Sequence, residues 1–106
     1  MSAREPLPAR RFGETFKLRF GGAAGAYHIT VGRYPDGRLG ELFISTNKIG
    51  SAQDALARDT AILMSLALQH GCTIETIRDA ITREGNGEPS TIAGAVADKL
   101  TEKPTP

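Results

Sequence analysis

Apolar and polar positions alternate with period two from Glu14 to Phe20. Phe16, Leu18 and Phe20 fall on one side, and Thr15, Lys17 and Arg19 on the other, the pattern of a half-buried strand. A second strand is predicted from Ala26 to Arg33, with Tyr27, Ile29 and Val31 opposite His28, Thr30 and Gly32. A third runs from Leu39 to Ser45 in an ambiguous register: Leu42 and Ile44 share a side and Phe43 takes the other, on the open face or in a second contact. Gly21-Gly22-Ala23-Ala24-Gly25 joins the first pair. Tyr34-Pro35-Asp36-Gly37-Arg38 joins the second: proline presets φ, aspartate bonds the backbone locally and glycine takes a positive φ. The result is an antiparallel meander with one apolar face in need of a cover.

After Thr46-Asn47-Lys48-Ile49-Gly50 the period lengthens. Ser51 to Gly71 reads as one long helix, capped by Ser51, with Asp54 returning a bond to the cap's own N–H and Gly71 supplying the left-handed stop. Ala55, Asp59, Ile62, Leu66 and Gln69 form one stripe, and Leu56, Leu63, Ala67 and His70 its neighbour. Ala61 to Leu68 is almost wholly apolar, which predicts burial on most sides and makes this helix the cover. Thr73 caps a second helix with Ile74, Ile77 and Ile81 inward. After the loop 84–89, Ser90 or Thr91 starts a third, with Ile92, Val96 and Leu100 inward. The fold class is α+β: a three-stranded antiparallel β-meander, one long helix packed on its apolar face, and two shorter C-terminal helices. Residues 1–11 form an extended arm, disordered unless it packs on a partner, 12–100 a single domain, and 101–106 a frayed tail.

Length and composition bound the function. The 106 residues suffice for one modest core, and 40% hydrophobic with 24% charged residues is ordinary for a globular domain. No apolar run is long enough to cross a bilayer, and the prolines and charges of residues 4–8 do not make a signal peptide, so a cytoplasmic location is expected. One cysteine, Cys72, excludes an internal disulfide, a dithiol pair and a Cys-cluster zinc site. The net charge of +1 conceals an asymmetry: residues 1–50 hold eight Lys/Arg against four acids, and residues 51–106 hold five against eight. A basic first half suits nucleic acid, nucleotide phosphates or an acidic protein surface, as well as plain solvation of a sheet face.

Specific chemistry is sparse. The glycines at 21, 22 and 25 join strand to strand and carry no phosphate-loop pattern. Lys48-Ile49-Gly50-Ser51 is a better anion candidate, since helix-opening N–H groups follow a lysine. His28 and His70 lie on different elements without metal-ligand spacing, and Cys72 at a helix junction reads as a small core residue, so no metal, cofactor or catalytic residue is assigned. Arg10, Arg11, Lys17, Arg19, Arg33 and Arg38 are expected to form a basic patch on the open sheet face, with Phe43 and Tyr34 the few aromatics available for stacking. The binding candidates are therefore Arg19, Arg33, Arg38, Lys48 and Ser51.

One ordered set of segments carries a family resemblance. It comprises Tyr27-x-x-x-Val31-Gly32, Pro35-Asp36-Gly37-Arg38, Gly40-Glu41-Leu42-Phe43-Ile44, Lys48-x-Gly50-Ser51, and Ser65-Leu66-Ala67-Leu68-Gln69-His70-Gly71. Together these resemble the TSCPD domain, found near the C-terminus of adenosylcobalamin-dependent (class II) ribonucleotide reductases and in small stand-alone bacterial proteins. The resemblance implies a link to deoxyribonucleotide synthesis but no active site, because the radical cysteine, the substrate-reducing pair and the cobalamin site belong to a catalytic barrel far longer than this chain. The expected role is a non-catalytic accessory or regulatory module with a reductase-like protein partner. The alternative is a small nucleic-acid-binding protein using the basic sheet face. A homodimer through Phe43 or an open strand edge is a third arrangement.

Overall fold

In the computed structural model, residues 3–9, 12–22 and 25–102 are described. The elements are β1 (Phe12–Arg19), β2 (Ala26–Arg33), β3 (Leu39–Thr46), α1 (Ala52–Gln69), α2 (Ile74–Ala80) and α3 (Ile92–Leu100). The strands pair antiparallel in the order β1-β2-β3, so the α+β meander expected from the sequence is the one observed. Phe16, Ile29 and Ile44 lie in one cross-strand row, and Thr15, Thr30 and Phe43 in the next, facing the other way. Ala23 and Ala24 of the first turn lie outside the described residues, as do residues 103–106 of the tail.

The apolar row meets α1, which packs chiefly along β3. Ile29, Val31, Leu42 and Ile44 from the sheet close on Ala57, Ala61, Met64 and Leu68 from α1, and on Ile74, Ile77, Ile92 and Val96 from the shorter helices. Replacing the fully buried Ile29 by alanine would cost about 2–5 kcal/mol, the range for a large-to-small core change. A bulge explains the ambiguous third strand. Gly32 pairs with Glu41 but Arg33 with Leu39, so Gly40 is the extra residue, and Leu39 packs on the same core as Leu42.

Two readings of α1 are corrected. The inward stripe is Asp54, Ala57, Ala61, Met64 and Leu68, with Gln69 beside it, rather than either leucine-bearing stripe. The small Ala57 and Ala61 let the helix lie close to the sheet, and Leu56, Ile62 and Leu63 are left outside. The capping box is also half-formed. Ser51 Oγ accepts from the Asp54 N–H (3.1 Å), but the Asp54 carboxylate turns inward to β3 instead of back to the cap. Gly71, with φ of 98°, ends the helix as expected, and Thr73 Oγ1 caps α2 by accepting from the Thr76 N–H.

Candidate interaction surfaces

The outer edge of β3 is occupied by side chains of α1. Asp54, Ser65 and Gln69 fall on one face of the helix. Asp54 Oδ1 accepts from the Thr46 N–H (2.8 Å) and from Thr46 Oγ1 (3.2 Å), while Arg58 Nε donates to its Oδ2 (2.8 Å). These bonds, that from Arg58 first, hold the Asp54 carboxyl below the usual carboxylate range. Ser65 Oγ accepts from the Leu42 N–H (2.8 Å) and donates to its carbonyl (3.1 Å), and Gln69 Nε2 donates to the Gly40 carbonyl (3.0 Å). A free strand edge invites another strand. Here the helix supplies the missing partners. Between helix and strand runs a groove of about 450 Å³, lined by Phe43, Ile44, Ile62 and Leu66, with Arg4 and Arg58 also in its wall.

Residues of the N-terminal arm lie across the end of that groove. The Glu5 N–H donates to the Gln69 carbonyl (2.7 Å), and Arg4 Nε donates to Gln69 Oε1 (2.6 Å). The buried Tyr34 hydroxyl donates to the Glu5 carbonyl, and Leu7 lies against Gly40. Arg38 stacks 4.5 Å above the Tyr34 ring and pairs with both Glu5 and Asp36. Burial pushes the Tyr34 hydroxyl pKa up, and the Arg38 guanidinium is held charged by Glu5 first and Asp36 second.

The basic residues do not share one face. Lys17 and Arg19 lie on the open side of the sheet, Lys17 in the row of His28 and Ser45 and Arg19 opposite Ala26. Arg33 has the parity of Ile29 and Val31, so it belongs to the helix-covered side, where it bonds Glu14 (3.1 Å) and the Gly37 carbonyl (3.1 Å). The single open-face patch is thus corrected: Arg33 is on the opposite side, Arg38 sits in the hairpin turn, and Arg10 and Arg11 lie outside the described residues. Lys48 is exposed before α1. The Ser51 hydroxyl accepts from the Asp54 N–H and donates to the Lys48 carbonyl (2.7 Å), and Asp54 already places an anion in the first turn.

His28 Nε2 lies 2.7 Å from Asn47 Oδ1, and the half-buried Cys72 packs against the core. Among the described residues no three His, Cys, Asp or Glu converge to hold a metal, and no helix is long and apolar enough to cross a membrane. Sequence reasoning missed Tyr34, Ser65 and Gln69. A signal existed for the last two, because they are polar interruptions of an apolar helix at a spacing of one turn, and Asp54 falls on the same side three turns earlier.

The model of the TSCPD domain matches residues 2–103. A vitamin B12-dependent ribonucleotide reductase of Bradyrhizobium diazoefficiens is 42% identical over 82 residues, covering 77% of this chain and 6% of that protein. One of Agrobacterium fabrum is 42% identical over 79 residues, covering 74% and 6%. Another, of Rhodopirellula baltica, is 39% identical over 74 residues, covering 70% and 7%. No solved structure matches. The chain therefore spans only about one-sixteenth of the first two of these curated relatives, and by the match along nearly its whole length it belongs to the TSCPD domain family.

Proposed function

We propose that this chain is a non-catalytic accessory or regulatory module of deoxyribonucleotide synthesis, acting in the cytoplasm through contact with a ribonucleotide reductase-like protein. The observation that carries the reading is the match of most of this chain to a small segment of much larger B12-dependent reductases. The site geometry supports contact rather than chemistry. Its buried polar side chains, Asp54 and Gln69, are engaged within the fold, and what it offers outward is exposed cations and exposed apolar side chains.

Of the binding candidates, Arg19 and Lys48 are exposed, and no hydrogen bond or ion pair engages their side chains among the described residues. Reversal of Arg33 or Arg38 would also set like charge against Glu14 or Glu5. The test is biolayer interferometry with a purified B12-dependent ribonucleotide reductase. The wild-type chain should bind, and Arg19→Glu with Lys48→Glu should weaken binding at least about tenfold, or about 1.4 kcal/mol, with an unchanged circular-dichroism spectrum. No binding by the wild type, or equal binding by the double variant, refutes the reading.

One observation favours a second reading, in which the open sheet face takes single-stranded nucleic acid. Phe43 is 56% exposed there, in the row of Thr15 and Thr30 and beside the row of Lys17 and His28. An exposed aromatic with a lysine in the adjacent row is the kind of surface on which bases stack. Fluorescence polarisation with short DNA and RNA at about 50 and about 200 mM salt separates the two, since phosphate binding falls steeply over that range. No binding at the lower concentration removes it.

A further inference from the structure

The outer face of α1 is as apolar as its inner one. Leu56 is 69% exposed, Ile62 55%, Leu63 67% and Leu66 37%. Ala52, Leu56, Asp59, Leu63 and Leu66 follow one another at intervals of four, three, four and three. That is the seam of a helix that packs against another helix, with Ile62 beside it. The apolar residue surface left in water amounts to roughly 400 Å², within the range of the largest patch on an ordinary monomer. That is about half of the roughly 800 Å² per partner of a standard interface, the rest being left to a polar rim.

We infer that this face is the interface of an antiparallel α1–α1 homodimer. The occupant is a helix, because the neighbouring β3 edge is already bonded by Asp54, Ser65 and Gln69 and has little left for a strand. It is another α1 because the seam complements itself. A twofold axis crossing between Met64 and Ser65 brings Leu63 of each copy onto Leu66 of the other. The same register moves Asp59, the charged residue of the seam, out to the level of His70 at the margin. A shift of one heptad toward the N-terminus would press Asp59 against Leu63, leaving a carboxylate opposite an apolar side chain at both ends. An acidic residue at the middle of the face and no cation along its seam also argue against an anionic membrane surface as the occupant.

The inference does not depend on the reductase reading. Sedimentation velocity of the full chain from about 1 to about 100 μM should show twice the chain mass at the upper end. Leu63→Glu should raise the dimer dissociation constant at least about thirtyfold. Its circular-dichroism spectrum and melting temperature as a monomer should not change, because Leu63 is already in water in the single chain. A wild type that stays monomeric throughout, including one that takes a different protein on this face, overturns the inference. So does a Leu63→Glu variant that dimerises as well as the wild type.

Discussion

Asp54 ties the start of α1 to the end of β3. Its side chain is almost wholly enclosed, it terminates the β3 edge at Thr46, it pairs with Arg58, and its own N–H is capped by Ser51. Ser51→Ala removes the cap and the hydroxyl's bond to the Lys48 carbonyl, a loss of about 1 kcal/mol. Asp54→Ala removes the acceptor for two Thr46 donors and the partner of Arg58 together, and leaves the Thr46 N–H without a partner in a buried place. The expected order of thermal midpoints is therefore wild type, then Ser51→Ala, then Asp54→Ala lowest, and a reversed order would show that Asp54 is only a helix-start residue. The pH dependence has a fixed sign. A carboxyl whose pKa is lower folded than unfolded stabilises the fold above the unfolded value, near 3.9, and that stability is lost as pH falls through the folded value. Asp54→Asn should flatten the decline in melting temperature below about pH 4 relative to wild type. An unchanged acid limb would assign the decline to other pairs, such as Arg83 with Asp98.

At the scale of elements, strand identity and helix length were legible because the period-two and longer-period patterns are clean, and the turn at Pro35-Asp36-Gly37 and the stop at Gly71 carry their own stereochemistry. The face that α1 buries was not legible. Hydrophobicity ranks Leu56, Ile62 and Leu63 above Ala57 and Ala61, yet the helix turns Ala57 and Ala61 to the sheet together with Met64 and Leu68, and Leu56, Ile62 and Leu63 remain outside. The place of Arg33 was legible and was misread: alternation with Ile29 and Val31 assigns it to the covered side, and only its charge suggested otherwise. The edge contacts were hidden because a mid-helix serine reads as a weak helix former instead of as a partner for a strand. Ser65→Ala tests that partnership. It strips the Leu42 backbone of both bonds and should cost about 1–3 kcal/mol in urea unfolding, where an exposed serine would cost almost nothing. A loss below a few tenths would mean that water replaces the hydroxyl at no penalty.

For the molecule as a whole, the arm, the β2–β3 hairpin and the C-terminal end of α1 form one junction. Glu5 contributes its amide to Gln69, its carbonyl to Tyr34 and its carboxylate to Arg38, so three elements distant in sequence are joined through one residue. The junction is strong in geometry and weak in energy. The Arg38–Glu5 pair is exposed, and exposed pairs are worth at most about 1 kcal/mol. Gly40 adds a steric condition, because a Cβ there would stand 2.7 Å from the Tyr34 ring and 2.9 Å from Leu7. Arg38→Glu places a third anion beside Glu5 and Asp36, and Gly40→Ala crowds Leu7. Both should release the arm while the sheet and helices persist. Amide hydrogen exchange reads this directly. The Glu5 N–H should lose at least about tenfold of its protection in either variant, and the amides of β2 should keep theirs, because local opening does not require the global transition. Unchanged protection at Glu5 would mean that the Gln69 and Tyr34 bonds hold the arm without help. Equal loss at Glu5 and in β2 would mean that the arm is part of the cooperative core and not a strap laid over it.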